Sequence, residues 1–310
     1  MNNPNINNPM YCDPETGICE IPGSNLSTMD VDTKASGKPV KLLYFTDPIC
    51  SSCWAIEPQL RKLKLEYGGY FETDYRMSGL LQSWNTYGGS DVGNPADVAK
   101  HWEEASTYYQ MPIDGDVWLE DPLHSSFPPS IAFKAAQLQG EAKANLFMRR
   151  IREMVFLEKK NITKWEHLER AAKETGLDPV QMKTDMEGKA IAMFEEDLQL
   201  RQKLGVRGFP TIFFTDEDDN RFLVYGSKPY EKYEKALLKL YPEAKKQTID
   251  NDFKTLFNLY NTFTVKELSV IANQSFDKTE TLLNELFLQN YLGKTPSKNG
   301  DLWFKKPGNK

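Results

Sequence analysis

Apolar residues keep two rhythms along this chain, and the places where the rhythm changes divide it into elements. Val40 to Phe45 is a nearly continuous apolar run, which predicts a strand over 38–45. From Ile56 to Leu65 the apolar positions fall at helical spacing. This predicts a helix that opens at Cys50 and runs to about Tyr67, where Gly68 and Gly69 stop it. Phe71 to Met77 alternates and is rich in β-formers, so a second strand follows. Strand, helix, strand is a βαβ unit, for which a right-handed crossover is expected.

The next hundred residues lose the two-residue rhythm. Ser83 to Pro95 reads as a glycine-rich loop, Ala96 to Tyr109 as a helix, and Met111 to Ser126 as a loop. From Pro128 to about Leu200 nearly everything is helical. One helix around Ile131–Leu138 ends at Gly140, and a second covers Ala144 to Leu157. A third covers Lys164 to Thr175, a fourth is capped by Asp178 with Pro179 at its first position, and a fifth covers Ile191 to Leu204.

The strand rhythm then returns. Thr211 to Phe214 is a short buried strand, Asp216 to Asn220 an acidic turn, and Arg221 to Tyr225 the partner strand of a hairpin. Tyr230 to Tyr241 is an amphipathic closing helix, followed by a polar junction, Pro242 to Gln247. Beyond it, Asp252–Tyr260, Val265–Ala272 and Lys278–Gln289 read as three short helices. Tyr291 to Phe304 reads as a hairpin through Lys298-Asn299-Gly300.

Three parts result: a tail over 1–37, an α/β domain over 38–245 with a helical insertion at about 78–204, and a small unit over 246–310 that looks separate. The tail is expected to be flexible because Asn, Pro, Gly, Ser and Thr dominate it. The last unit has helix-turn-helix proportions with a wing. Counted from residue 251 it holds eight Lys or Arg and six Asp or Glu. That balance lacks the basic footprint of a DNA reader, so packing or protein interaction is the expected role.

Composition narrows the class. At 310 residues, 40% hydrophobic and 26% charged, the chain has the makeup of a soluble globular protein. A net charge of −6 gives no attraction to nucleic acid or to a membrane surface. No run of about 18 apolar residues is present for a membrane span. The first ten residues have neither a basic start nor an apolar core, so a secretory signal is not expected. The expected location is the cytoplasm, where thiols are mostly kept reduced.

Four cysteines, Cys12, Cys19, Cys50 and Cys53, all lie near the N-terminal end. Cys50-Ser51-Ser52-Cys53 joins the first strand to its helix. Unpaired N–H groups and the helix dipole at that point favour a thiolate, which makes Cys50 the expected nucleophile. Cys53, one turn on and on the same face, is placed to resolve a mixed disulfide. A zinc site is the alternative, since C-x-x-C also supplies half of a four-thiolate set. A second signal favours redox exchange: Gly205-Val206-Arg207-Gly208-Phe209-Pro210-Thr211 places a proline at the start of a buried strand, where a cis bond or an ordinary turn would fit.

Asp47-Pro48-Ile49-Cys50-Ser51-Ser52-Cys53-Trp54, the helical block and the Pro210 segment, in that order, resemble the DsbA family of thioredoxin-like oxidoreductases. The resemblance covers about Pro39 to Tyr241. It implies a thioredoxin-like sheet, a helical cap after the second strand and a cis bond before Pro210. It also implies a substrate edge shaped by Pro210 and Phe209, and no organic cofactor. Within the family the chain is most similar to cytoplasmic members, the FrnE-like proteins and SpxH, the ClpXP adapter that delivers the regulator Spx for proteolysis. Leu123–Gly140 and Phe147–Thr163 carry the SpxH likeness. Ser51-Ser52 stands where periplasmic members have Pro-His, which argues against a strong oxidant.

Two functions follow from this reading. The first is a cytoplasmic thiol–disulfide oxidoreductase or isomerase working on a protein or small-molecule disulfide. The alternative is an SpxH-like adapter that holds a regulatory protein for ClpXP, with the cysteines as a redox or zinc sensor. For Cys12 and Cys19 three readings stay open: a second redox pair, a zinc site completed by Cys50 and Cys53, or an unpaired tail. His101, His124 and His167 have no ligand spacing and are expected at the surface. Trp84, Tyr87, Trp102, Tyr108, Tyr109 and Trp118 either line a groove over the cysteines or fill the core.

Overall fold

A computed structural model describes residues 11–12, 18–20, 37–86 and 92–308. Tyr87 and most of the expected tail lie outside these residues. The order is β1 (Tyr11–Cys12), β2 (Ile18–Glu20), β3 (Val40–Thr46), α1 (Ser51–Ala55), α2 (Glu57–Tyr67) and β4 (Phe71–Met77). The cap follows as α3 (Pro95–Tyr109), α4 (Val117–Glu120), α5 (Phe127–Gln137), α6 (Glu141–Leu157), α7 (Trp165–Glu174), α8 (Pro179–Met186) and α9 (Lys189–Lys203). Then come β5 (Thr211–Asp216), β6 (Arg221–Tyr225) and α10 (Tyr230–Leu240). The chain closes with α11 (Phe253–Leu259), β7 (Thr262–Phe263), α12 (Val265–Ala272), α13 (Phe276–Leu288), β8 (Leu292–Thr295) and β9 (Leu302–Lys305).

The main sheet runs β1-β2-β6-β5-β3-β4. Only β3 and β4 are parallel, as a βαβ unit requires; the other pairs are antiparallel. Alternation along each strand sorts side chains to two faces. Val40, Leu42, Tyr44, Ile212, Phe214 and Val224 pack with Leu63, Tyr233 and Leu237 of α2 and α10. Leu43, Phe45, Phe213 and Leu223 face Val206, Leu200 and Leu204 at the end of the cap.

The helix expected from Cys50 to Tyr67 is two helices. Pro58 has no N–H to continue the ladder, and the chain breaks at Ile56, whose N–H bonds to Trp54 O instead. Asp178 caps α8 through Val180 N and Gln181 N, with Pro179 in its first turn, as its sequence predicts.

Two expectations differ from the structure. Part of the tail pairs: Cys19 stands opposite Cys12 in β1 and opposite Leu223 in β6, so two short strands extend the sheet edge. The C-terminal unit is not separate. Its hairpin forms as β8–β9, with β7 on its other side, but α12 lies directly on α2. Arg61 Nη1 donates to Thr262 O at 2.8 Å, and Lys62 Nζ donates to Val270 O at 3.1 Å. Glu267 receives both arms of Arg149 from α6 at 2.7 and 3.1 Å. Leu302 joins the cap's core. These contacts cross more than a hundred residues of sequence, so the local pattern does not carry them.

Candidate functional site

The end of β3 and the start of α1 hold the cysteine pair. Asp47 builds the loop between them. Its carboxylate is buried and accepts hydrogen bonds from Ile49 N at 3.1 Å, Leu80 N at 2.8 Å and Ser126 Oγ at 2.8 Å. Its backbone carbonyl accepts from Cys50 N at 3.3 Å. One carboxylate thus ties the cysteine loop to the chain after β4 and to the start of α5. Burial pushes its pKa up to about 6 against the opposing pull of those hydrogen bonds and of Arg152.

That shift has a testable sign. The unfolded carboxyl titrates near 3.9, so between about pH 4 and pH 6 the folded chain binds the extra proton. The protonated carboxyl's contribution is fully present at low pH and is lost as pH rises through about 6, an effect of about 3 kcal/mol from this group. Urea unfolding of the wild type and Asp47→Asn across this range measures it. The difference between the two proteins should change with pH in the wild type's disfavour; a constant difference contradicts the assignment.

Cys50 is the N-cap of α1, and Cys53 N–H donates to its Sγ at 3.2 Å. Both cysteines are free thiols. Both are buried, Cys50 at 5% exposure and Cys53 completely, so Cys50 lies nearer the surface. The two titrate as a unit. Burial raises the Cys53 thiol, but the hydrogen bond with Cys50, the Arg152 charge and Thr46 outweigh it and leave it below its ordinary value. Burial, followed by the Cys53 hydrogen bond and charge, lifts the Cys50 thiol well above its own. Burial thus opposes the low pKa expected at Cys50, and Arg152 favours negative charge at the deeper end of the pair.

The second motif stands at the same end of the sheet. The Phe209–Pro210 bond is cis. Thr211 pairs with Phe45, which puts Pro210 next to the end of β3 from which the cysteine loop departs. Pro210 is buried and Phe209 half-buried. Pro210 O accepts from Gly226 N at 2.8 Å. A Cβ at Gly208 would lie 2.4 Å from the Tyr225 hydroxyl, so a side chain there requires the Tyr225 ring to shift. Arg201 steadies the segment, with its guanidinium 5.1 Å from the Phe209 ring centre and Nη1 bonded to Ser78 O at 2.8 Å.

The aromatic group divides. Trp102 and Trp118 are core, packed edge to face, and Trp54 stacks on Phe156. Trp84 sends Nε1 to Leu123 O at 3.0 Å. Tyr109 sits at the mouth, its hydroxyl 3.1 Å from Ser52 Oγ, and Tyr108 is 82% exposed. His101 and His124 are exposed and His167 half-buried, as expected of surface positions.

The backbone register separates the two cysteine pairs. Cys19 lies in one row with Leu223, Phe213 and Leu43. Three strand spacings, about 14 Å, divide Cys19 from Leu43. The side chains of Cys12 and Cys19 lie outside the described residues. Among the described residues, the one cluster of potential metal ligands is Glu103, Asp114 and Asp116. Lys298 Nζ already sits there, 3.1 Å from Glu103 and 2.8 Å from Asp116, and Asn299 Nδ2 donates to Glu103 at 2.7 Å. The cluster therefore anchors the β8–β9 turn to α3.

Sequence reasoning missed Arg152 and Asp47. Arg152 reads as one charge on an amphipathic helix, yet it is fully buried, and Nη2 donates to Thr46 Oγ1 at 2.7 Å. Asp47 stands three residues before Cys50, and its proximity to the motif was the available signal.

The family model described as Thioredoxin matches residues 43–235. The ClpXP adapter protein SpxH of Halalkalibacterium halodurans is 35% identical over 96% of this chain and 97% of its own length. The protein of the same name from Bacillus subtilis is 30% identical over 86% of this chain and 89% of its own. Among solved structures, a putative protein disulfide isomerase from Nitrosomonas europaea superposes with a TM-score of 0.55 at 21% identity, covering 66% of this chain and 96% of its own. The cytosolic disulfide reductase DsbM from Pseudomonas aeruginosa gives 0.53 at 21%, covering 64% and 99%.

Proposed function

Because the chain belongs to the thioredoxin family and, within it, to the SpxH proteins, we propose that it is a cytoplasmic adapter that holds a regulatory protein for the ClpXP protease, with the Cys50–Cys53 dithiol as its redox-responsive element. The observation that carries this reading is the union of the two parts of the chain. The SpxH likeness runs nearly end to end, while the oxidoreductase structures use almost their whole lengths to cover 64–66% of it. A thiol enzyme of this fold does not require the extra unit. Here that unit is fixed to the thioredoxin-like body by the Arg149–Glu267 pair, with Glu267 fully buried. A composite surface of body and unit is what an adapter offers a protein partner.

Calorimetric titration of the full chain with the regulator Spx, which the SpxH likeness names, tests this. A saturable one-to-one complex is expected. Absence of binding by both the reduced and the oxidised chain sinks the adapter reading.

A second reading has its own support. The dithiol keeps the parts of an exchange site: a sulfur at the N-cap of α1, a second sulfur one turn away to resolve, and Pro210 at the same end of the sheet. Cys50 thiolate attacks a substrate disulfide, releasing one substrate thiolate and leaving a mixed disulfide. Cys53 thiolate attacks the Cys50 sulfur, forms the Cys50–Cys53 disulfide and releases the second thiolate. The substrate gains two electrons and the protein loses two. The two readings are compatible, since an adapter whose dithiol exchanges with cellular disulfides reports their state.

A further inference from the structure

Behind Cys53 lies a group of buried polar side chains that the fold alone does not explain. Arg152 projects from α6 and is fully buried. Its Nη1 pairs with Glu57 Oε1, and its Nη2 donates to Thr46 Oγ1 at 2.7 Å and to Asp47 O at 3.4 Å. Its Nε–H finds no acceptor. Two residues before Thr46 on β3, and on the same side of the strand, the Tyr44 hydroxyl is also buried without a hydrogen-bond partner. An unsatisfied buried donor costs about 1–3 kcal/mol. Two of them beside a buried cation mark a place prepared for negative charge. Cys53 lies there, with Tyr44, Thr46 and Arg152 as its polar neighbours. Its sulfur carries a charge only when the pair is reduced.

We infer that Arg152, with Thr46 and Tyr44, is a positioning site for the Cys53 thiolate and sets the reduction potential of the Cys50–Cys53 pair. The inference rests on the exchange reading of the dithiol. A disulfide is neutral and leaves Arg152 with Glu57 as its ion-pair partner. The reduced, deprotonated pair gives the guanidinium a second anion. The cation therefore stabilises the dithiol relative to the disulfide and makes the disulfide the stronger oxidant. It also acts in the resolving step, where Cys53 must be a thiolate to attack the Cys50 sulfur. With Ser51-Ser52 between the cysteines, no side chain there supplies a positive charge. Here the charge comes from the opposite side, out of the cap.

Equilibration of the full chain with reduced and oxidised glutathione measures the potential, with the thiol state read by alkylation and mass spectrometry. Arg152→Met is expected to shift the equilibrium toward the disulfide by about tenfold or more, or about 30 mV to more negative potential. Arg152→Lys keeps the charge and should hold the wild-type potential. If Arg152→Met fails to fold, Arg152→Met with Glu57→Leu removes both charges of the pair together, an exchange that folded proteins tolerate, and should shift in the same direction. Tyr44→Phe should shift in the same direction by less. Folded Arg152→Met, or the double variant, at the wild-type potential overturns the inference. A wild type that never forms the Cys50–Cys53 disulfide overturns the exchange reading, and the inference with it.

Discussion

Glu267→Ala should lower the stability of the chain by about 3–5 kcal/mol, the cost of stripping one partner from a buried ion pair. Glu267 is fully buried. It takes both arms of Arg149, approaches Arg61 Nε at 3.3 Å, and accepts from Thr264 N at 2.7 Å. Burial alone would raise its pKa; Arg149 and Arg61 overcome this and hold it below the usual carboxylate range. Alanine leaves two guanidinium groups in the interior with Glu153 as the remaining close carboxylate of Arg149. It also deletes the capping box of α12, in which Glu267 N donates to Thr264 Oγ1 and Glu267 Oε2 accepts from Thr264 N. Chemical denaturation reads the loss. Amide exchange should rise first over α12 and its seat on α2. A loss below 1 kcal/mol would show that the C-terminal unit is held mainly by its apolar contacts.

Cys50→Ser should abolish exchange with oxidised glutathione, because a serine hydroxyl cannot form the thiolate that attacks a disulfide. Cys53→Ser should behave differently. Cys50 still attacks, but nothing resolves the product, and a stable glutathione adduct should accumulate on Cys50. The contrast follows from position: Cys50 caps the start of α1 nearer the surface, and Cys53 is completely buried behind it. Mass spectrometry of the two variants after a short incubation distinguishes them. An adduct on Cys53 in Cys50→Ser would invert the assigned roles.

Elements set by local chemistry were legible in the sequence. Asp178 and Pro179 foretell the start of α8, the Asn299-Gly300 turn foretells β8–β9, and the rhythm of Thr211 to Tyr225 foretells the β5–β6 hairpin. The placement of the cysteine loop at the end of β3 and the cis bond before Pro210 were legible as well, because both rest on a fixed local spacing. What escaped depends on distant partners. Arg152 meets Thr46 across 106 positions, and Arg149 meets Glu267 across 118. Nothing in the local pattern of α6 marks which of Arg149, Arg150 and Arg152 turns inward. The pairing of Cys19 with Leu223 likewise joins the two ends of the domain, and a polar composition gives no warning of it. The union of the C-terminal unit with the body was hidden for the same reason, and it is the feature that moves the preferred reading from the enzyme to the adapter that stood as its alternative.

Degradation of Spx by purified ClpXP, with and without this chain, tests that central reading most directly. The reading predicts that the full-length chain raises the rate of Spx loss severalfold, in proportion to its concentration up to saturation. An unchanged rate, with the protease active on a control substrate and the chain folded, would contradict it.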